Sequence, residues 1–172
     1  MRGRDTKQAG DKPPRRSAYD KALALLARRE QSRHELHAKL ARDGYDNDEI
    51  DDALARLGEA HYQDDARFAE MLVRSRTRQG YGPMRLRAEL KSHGIDGELI
   101  GTVLDEADAE TDWTALAADQ LQRRYGSKPA NEYTERVRRM QFLQRRGFDG
   151  GTARAAVGAH PVRDGLDAPF ET

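Results

Sequence analysis

Cysteine is absent from the 172 residues, which excludes disulfide staples, thiolate zinc sites and cysteine nucleophiles. Aromatic residues reach only 6% and hydrophobic ones 37%, against 35% charged. So little apolar material argues against one oily core and favours thin, elongated packing with much solvated surface. Apolar runs are short, and none approaches the roughly 20 residues of a membrane-spanning helix. The opening Met1-Arg2-Gly3-Arg4-Asp5 has basic residues but no apolar stretch behind them, so it does not read as a secretory signal. A soluble, cytoplasmic protein is expected. No run of alternating β-branched residues is long enough for a strand. An excess of charge is missing as well, with 30 Lys plus Arg against 30 Asp plus Glu.

What is present is helical periodicity bounded by capping chemistry. Residues 1–16 mix Gly, Pro, Gln and basic charge without apolar spacing, and 158–172 repeat Gly and Pro; both read as flexible tails. Ser32-Arg33-His34-Glu35 reads as a capping box, with the Ser32 hydroxyl taking the Glu35 amide and the Glu35 carboxylate reaching back. Leu36 and Leu40 follow at i, i+4 spacing, and Gly44 stands where a left-handed residue closes a helix. Asp46 is placed to cap the next helix, whose apolar face carries Ile50, Ala53, Leu54 and Leu57.

The same phrase returns 50 residues on. Pro83 stands at a first helical position, Leu86 and Leu90 repeat the leucine pair, and Gly94-Ile95-Asp96 repeats Gly44-Tyr45-Asp46. A third copy follows after a further 53 residues, with Leu143 and Gly147-Phe148-Asp149. A helix precedes each pair, carried by Tyr19, Ala22, Leu23 and Leu26, by Phe68, Ala69, Leu72 and Val73, and by Trp113, Leu116, Ala117 and Leu121. Shared leucine register together with a shared glycine stop is the mark of an internal repeat. The fold class is therefore all-α: three tandem three-helix repeats over 17–62, 63–110 and 111–157. Small units that lean on their neighbours would form an elongated, curved helical array.

The neutral total hides a segregation. Residues 21–42 carry six basic and two acidic groups, while 43–70 carry two basic and ten acidic. Residues 71–95 have six basic against one acidic, and 96–112 have seven acidic and no basic. Residues 123–146 return to eight basic against two acidic. Two readings stay open. Basic and acidic helices can lie side by side and neutralise one another at about 0–1 kcal/mol per surface pair. Alternatively the recurring basic blocks form an interaction face, for which the planar fork of arginine suits carboxylate and phosphate partners.

Nothing in the pattern assembles a catalytic or metal site. His34 and His37 sit in His-Glu-Leu-His, which lacks the spacing of the metalloprotease helix, and they read as surface histidines. His93 ends a helix, where a cation suits the dipole. Gly126-Ser127-Lys128 has the tail of a phosphate loop without its glycines or preceding strand. Asp48, Glu49, Asp51 and Asp52 run along one solvated helix with no facing carboxylate. The most individual feature is Gly80-Tyr81-Gly82-Pro83, set among Arg74, Arg76, Arg78 and Arg85. It reads as a rigid helix-to-helix turn with Tyr81 packed inward, or as an exposed aromatic ringed by arginines for partner recognition, and the two are not mutually exclusive.

An ordered set of motifs resembles the RecX regulatory proteins of bacteria. It comprises Leu26-Ala27-Arg28-Arg29-Glu30-Gln31-Ser32-Arg33-His34-Glu35-Leu36, Tyr62-Gln63-Asp64-Asp65-Ala66-Arg67-Phe68-Ala69, Gly80-Tyr81-Gly82-Pro83-Met84-Arg85-Leu86 with Glu89-Leu90 and Gly94-Ile95, and Phe142-Leu143-Gln144-Arg145-Arg146-Gly147-Phe148. The resemblance spans residues 18–157. It implies a non-enzymatic regulator that binds the RecA recombinase filament on DNA, in its groove or at its growing end. Inhibition of ATPase, strand exchange and coprotease activity would follow, and with it modulation of recombination, DNA repair and the SOS response. No cofactor, small-molecule substrate or membrane is implied, and DNA would be met weakly or only through the filament.

The resemblance brings no fixed set of contact residues. The candidates come from the basic helices: Arg74, Arg78, Tyr81, Arg85, Arg87 and Lys91 of the middle repeat, with Arg28, Arg29 and Arg33 before it and Arg138, Arg145 and Arg146 after it. The alternative reading is an autonomous helical DNA-binding module, since short helices joined by glycine turns resemble helix-turn-helix geometry. Tight, steeply salt-dependent binding to naked DNA would favour that alternative. The acidic blocks, which repel phosphate, favour a protein filament bearing both charges.

Overall fold

A computed structural model describes residues 16–159, and among these it contains nine α-helices and no strand. They are α1 (Ala18–Leu26), α2 (Arg33–Arg42), α3 (Asn47–Glu59), α4 (Asp65–Arg78), α5 (Pro83–Ser92), α6 (Gly97–Glu110), α7 (Trp113–Tyr125), α8 (Tyr133–Arg145) and α9 (Gly150–Ala159). Helices pack in successive triples, α1 with α2 and α3, α4 with α5 and α6, and α7 with α8 and α9. No described helix is long and apolar enough to cross a membrane. Most of the two segments expected to be tails lies outside the described residues. Gly158 and Ala159, read from sequence as tail, instead complete α9.

The repeated phrase has a repeated geometry. Gly44, Gly94 and Gly147 take φ of 82°, 71° and 91°, the left-handed region that a side chain disfavours. The amide of the following residue then turns back: Tyr45 donates to Leu40, Ile95 to Leu90 and Phe148 to Leu143, each at 3.2 Å. This closure satisfies a helix-end carbonyl and drops Tyr45, Ile95 and Phe148 into the interior. The leucines Leu36, Leu40, Leu86, Leu90 and Leu143 are fully buried, and truncating any of them to alanine costs about 2–5 kcal/mol. At the end of α3 the left-handed position is held by His61, with φ 56°.

Capping differs in two places from the sequence expectation. The Ser32 hydroxyl does accept the Glu35 amide at 3.1 Å, but the Glu35 carboxylate does not return to the cap. It is drawn instead to Arg29 and to Lys39, the latter at 2.8 Å. Asp46 stands at the start of α3 without a side-chain cap bond. Its counterparts do cap: Asp96 accepts the Glu98 amide at 2.8 Å, and Asp149 those of Gly151 and Thr152 at 2.8 and 2.9 Å.

Each triple encloses its own core. Trp113 is shared, packing against both the second and third cores, with its indole N–H on Asp108 at 2.7 Å. Neighbouring units therefore lean on one another mainly through helix ends. The start of α2 meets the end of α5, and the start of α5 meets the end of α8.

Candidate interaction surface

The twelve candidate residues separate into two groups. Six are engaged within the fold. Arg29 pairs with Glu35, Arg33 lies 3.8 Å from Asp51, and Arg138 lies 2.9 Å from Glu135. Arg146 donates to the carbonyls of Gln79 and Gly80 at 3.0 and 3.1 Å. The guanidinium carbons of Arg85 and Arg146 lie over the Tyr81 ring at 4.6 and 5.2 Å from its centre. Tyr81 is half-buried, so this turn binds its own arginines and links the second unit to the third.

Burial pushes the Glu35 carboxyl pKa up, and the hydrogen bonds and charges of Arg29 and Lys39 more than reverse this, leaving it below the ordinary value.

The other six, Arg28, Arg74, Arg78, Arg87, Lys91 and Arg145, are exposed and form no ion pair among the described residues. Four of them lie on the middle unit in two matching stripes. Met71, Arg74 and Arg78 follow i, i+3, i+7 spacing on α4, and Met84, Arg87 and Lys91 repeat it on α5. That spacing sets three side chains along one helix face. Met71 and Met84 are 41% and 62% exposed, so each stripe offers one polarizable apolar contact beside two cations.

The α4 stripe borders a cavity of about 220 Å³ between α4 and α6. Arg74 and Arg78 stand on the α4 side beside Glu70, and Glu106 and Glu110 on the α6 side, above a floor that includes Val73, Val103 and Ala107. The Thr77 hydroxyl lies in this lining, buried and without a hydrogen-bond partner. Sequence reasoning passed over Glu70, Thr77, Glu106 and Glu110. The i, i+4 spacing of each rim was readable, but not that the two rims face one another.

His34 and His37 line a separate opening with Arg33, Asp65 and Gly94, where the first two units meet. Among the described residues no group of three or more His, Asp or Glu could hold a metal ion.

Three family models match the chain: RecX, first three-helix domain, over residues 18–57; RecX, second three-helix domain, over 64–104; and RecX, third three-helix domain, over 110–157. The chain is 43% identical over 150 residues to a regulatory protein RecX of Stenotrophomonas maltophilia, covering 87% of this chain and 91% of that protein. It is 46% identical over 143 residues to one of Acidithiobacillus ferrooxidans, covering 83% and 90%. Among solved structures, RecX from Lactobacillus salivarius superposes with a TM-score of 0.68 at 23% identity, covering 82% of this chain and 92% of that one. At that identity the likeness speaks for the fold alone.

Proposed function

The chain belongs to the RecX family of regulatory proteins, and from that premise we propose that it binds the RecA recombinase filament on DNA and restrains it. By lying in the filament groove or blocking its extension, it inhibits ATP hydrolysis, strand exchange and coprotease activity. Recombination, DNA repair and the SOS response are modulated through that inhibition, in the cytoplasm and without a reaction catalysed by the chain itself.

The observation that carries this reading is the set of exposed cations on the middle unit that form no ion pair among the described residues. Arg74, Arg78, Arg87 and Lys91 are exposed, which leaves them accessible to a partner. Desolvated arginines paired across an interface are among the strongest contributors to protein binding. A chain of three units that touches successive protomers would hold them in one relative geometry and oppose the rearrangement that ATP turnover requires. The cations of the first and third units, Arg28 and Arg145, extend the contact to either side.

The test is RecA ATPase on single-stranded DNA, titrated with this protein. Inhibition far below one molecule per RecA indicates end blocking, and inhibition only near equivalence indicates groove binding. Replacing Arg74, Arg78 and Arg87 together by alanine is expected to weaken inhibition at least about tenfold. Undiminished inhibition by that variant would overturn the placement of the surface on the middle unit.

A further inference from the structure

The cavity between α4 and α6 has a feature that a phosphate-binding surface would lack. Its α6 rim is acidic, with Glu106 and Glu110, while its α4 rim carries Arg74 and Arg78 beside Glu70, and no ion pair joins the two rims among the described residues. Side chains as long as Arg and Glu on neighbouring helices commonly neutralise each other, as Arg76 and Glu89 do between α4 and α5 at 2.8 and 3.0 Å. Here they stand apart over an apolar floor. In that lining the Thr77 hydroxyl is buried with no hydrogen-bond partner among the described residues, and supplying one to such a group is worth about 1–3 kcal/mol.

We propose that this cavity is a docking slot for a protein segment that presents a basic and an acidic side chain side by side. The basic group of the partner meets Glu106 and Glu110, the acidic group meets Arg74 and Arg78, and a polar atom of the inserted segment satisfies Thr77. Val73, Val103 and Ala107 cover its aliphatic portion. A nucleic-acid backbone does not fit the same charges, because phosphates drawn to the arginine rim would be repelled by Glu70, Glu106 and Glu110. At about 220 Å³ the space takes one or two side chains and not a helix. The inference rests on the proposed RecA reading for the identity of the partner, and it assigns a protein contact to the arginines that would otherwise be read as phosphate ligands.

The natural lack of cysteine makes a direct test available. Thr111→Cys places a single thiol in the lining at a half-buried position, and Ala55→Cys, on the exposed face of α3, supplies a control. Thiol modification is followed for each variant alone, with single-stranded DNA, and with the RecA–DNA filament, while co-sedimentation records binding. Protection of the Thr111→Cys thiol by at least about tenfold with the filament, and not with DNA alone, is expected on burial at a protein interface. The control should stay reactive.

Co-sedimentation with the slot thiol still reactive would overturn the slot and leave the RecA reading standing. Failure of the wild-type protein to co-sediment would overturn both. A second pair of variants separates protein from phosphate by sign. Glu106→Lys with Glu110→Lys is expected to weaken filament binding about tenfold or more while strengthening binding to bare DNA. Tighter binding to both would mean that phosphate occupies the slot, against the proposal.

Discussion

The two joints between units use the same positions with different chemistry. At the first joint Ser32 reaches the His93 carbonyl through its hydroxyl at 2.8 Å. At the second, Gly82 stands 50 residues on and reaches the equivalent Arg146 carbonyl with its backbone amide at 2.9 Å. Around Ser32 the remaining links also need side chains: the Arg33 amide to Asp65 at 2.8 Å, and Arg67 to Glu30 at 2.6 Å. Around Gly82 a second backbone bond, the Met84 amide on the Gly147 carbonyl at 3.0 Å, stands beside the Arg146 side chain on the Gln79 and Gly80 carbonyls. Removing the side chain at one position lets the main chains interlock, and glycine then becomes obligatory. The first joint is a polar contact sensitive to charge and salt. The second joins a steric fit of main chains to the Arg146 contacts.

Glycine replacement should separate them most sharply. A Cβ on Gly147 would stand 2.5 Å from the Arg85 backbone nitrogen, at φ +91°, so Gly147→Ala is expected to cost about 3 kcal/mol or more. For a chain of this size that lowers the melting temperature by roughly 6–12 °C. At the first joint the three atoms nearest a Cβ on Gly94 all belong to the His34 side chain, the closest its Cβ at 2.6 Å. With no backbone atom among those three, Gly94→Ala should cost less than Gly147→Ala, about 1–2 kcal/mol for the left-handed conformation plus the displacement of His34. Equal losses by thermal melting would erase the distinction.

Ser32→Ala comes next, because it removes both the cap to Glu35 and the bond to His93. About 1–2 kcal/mol is expected in urea unfolding.

Acid probes the cluster beside the same joint. Glu35 has a lowered pKa in the folded chain, so its contribution is complete above the ordinary glutamate value of about 4.3 and is lost as pH falls through the folded one. Urea unfolding between neutral pH and about pH 3 should show wild type losing more stability than Glu35→Gln; parallel pH profiles would contradict that role.

The smallest effect belongs to Glu30→Gln. It should cost about 0.5 kcal/mol in dilute buffer and nothing measurable near 1 M salt. Gly147→Ala should cost the same in both.

Much of this was legible in the sequence. The leucine pairs with Gly44, Gly94 and Gly147 announced three copies, because left-handed helix closure and a buried i, i+4 pair are local requirements written in a few residues. The joints were not legible: nothing local says that Ser32 and Gly82 address the same carbonyl in different ways. The fate of each arginine was equally hidden. Arg28 and Arg29 are adjacent, yet among the described residues only Arg29 forms an ion pair, with Glu35, and only packing decides which. Tyr81 could be placed on a turn from Gly80 and Pro83, but its capture by Arg146 joins residues 65 apart.

The most direct measurement is a comparison of affinities at about 0.15 M salt for the RecA filament on single-stranded DNA and for the same DNA bare. Binding at least about a hundredfold tighter to the filament is expected, because acidic blocks oppose naked phosphate while a protein partner can match both charges. Equal or tighter binding to bare DNA, with a steep salt dependence, would contradict a role exerted through RecA.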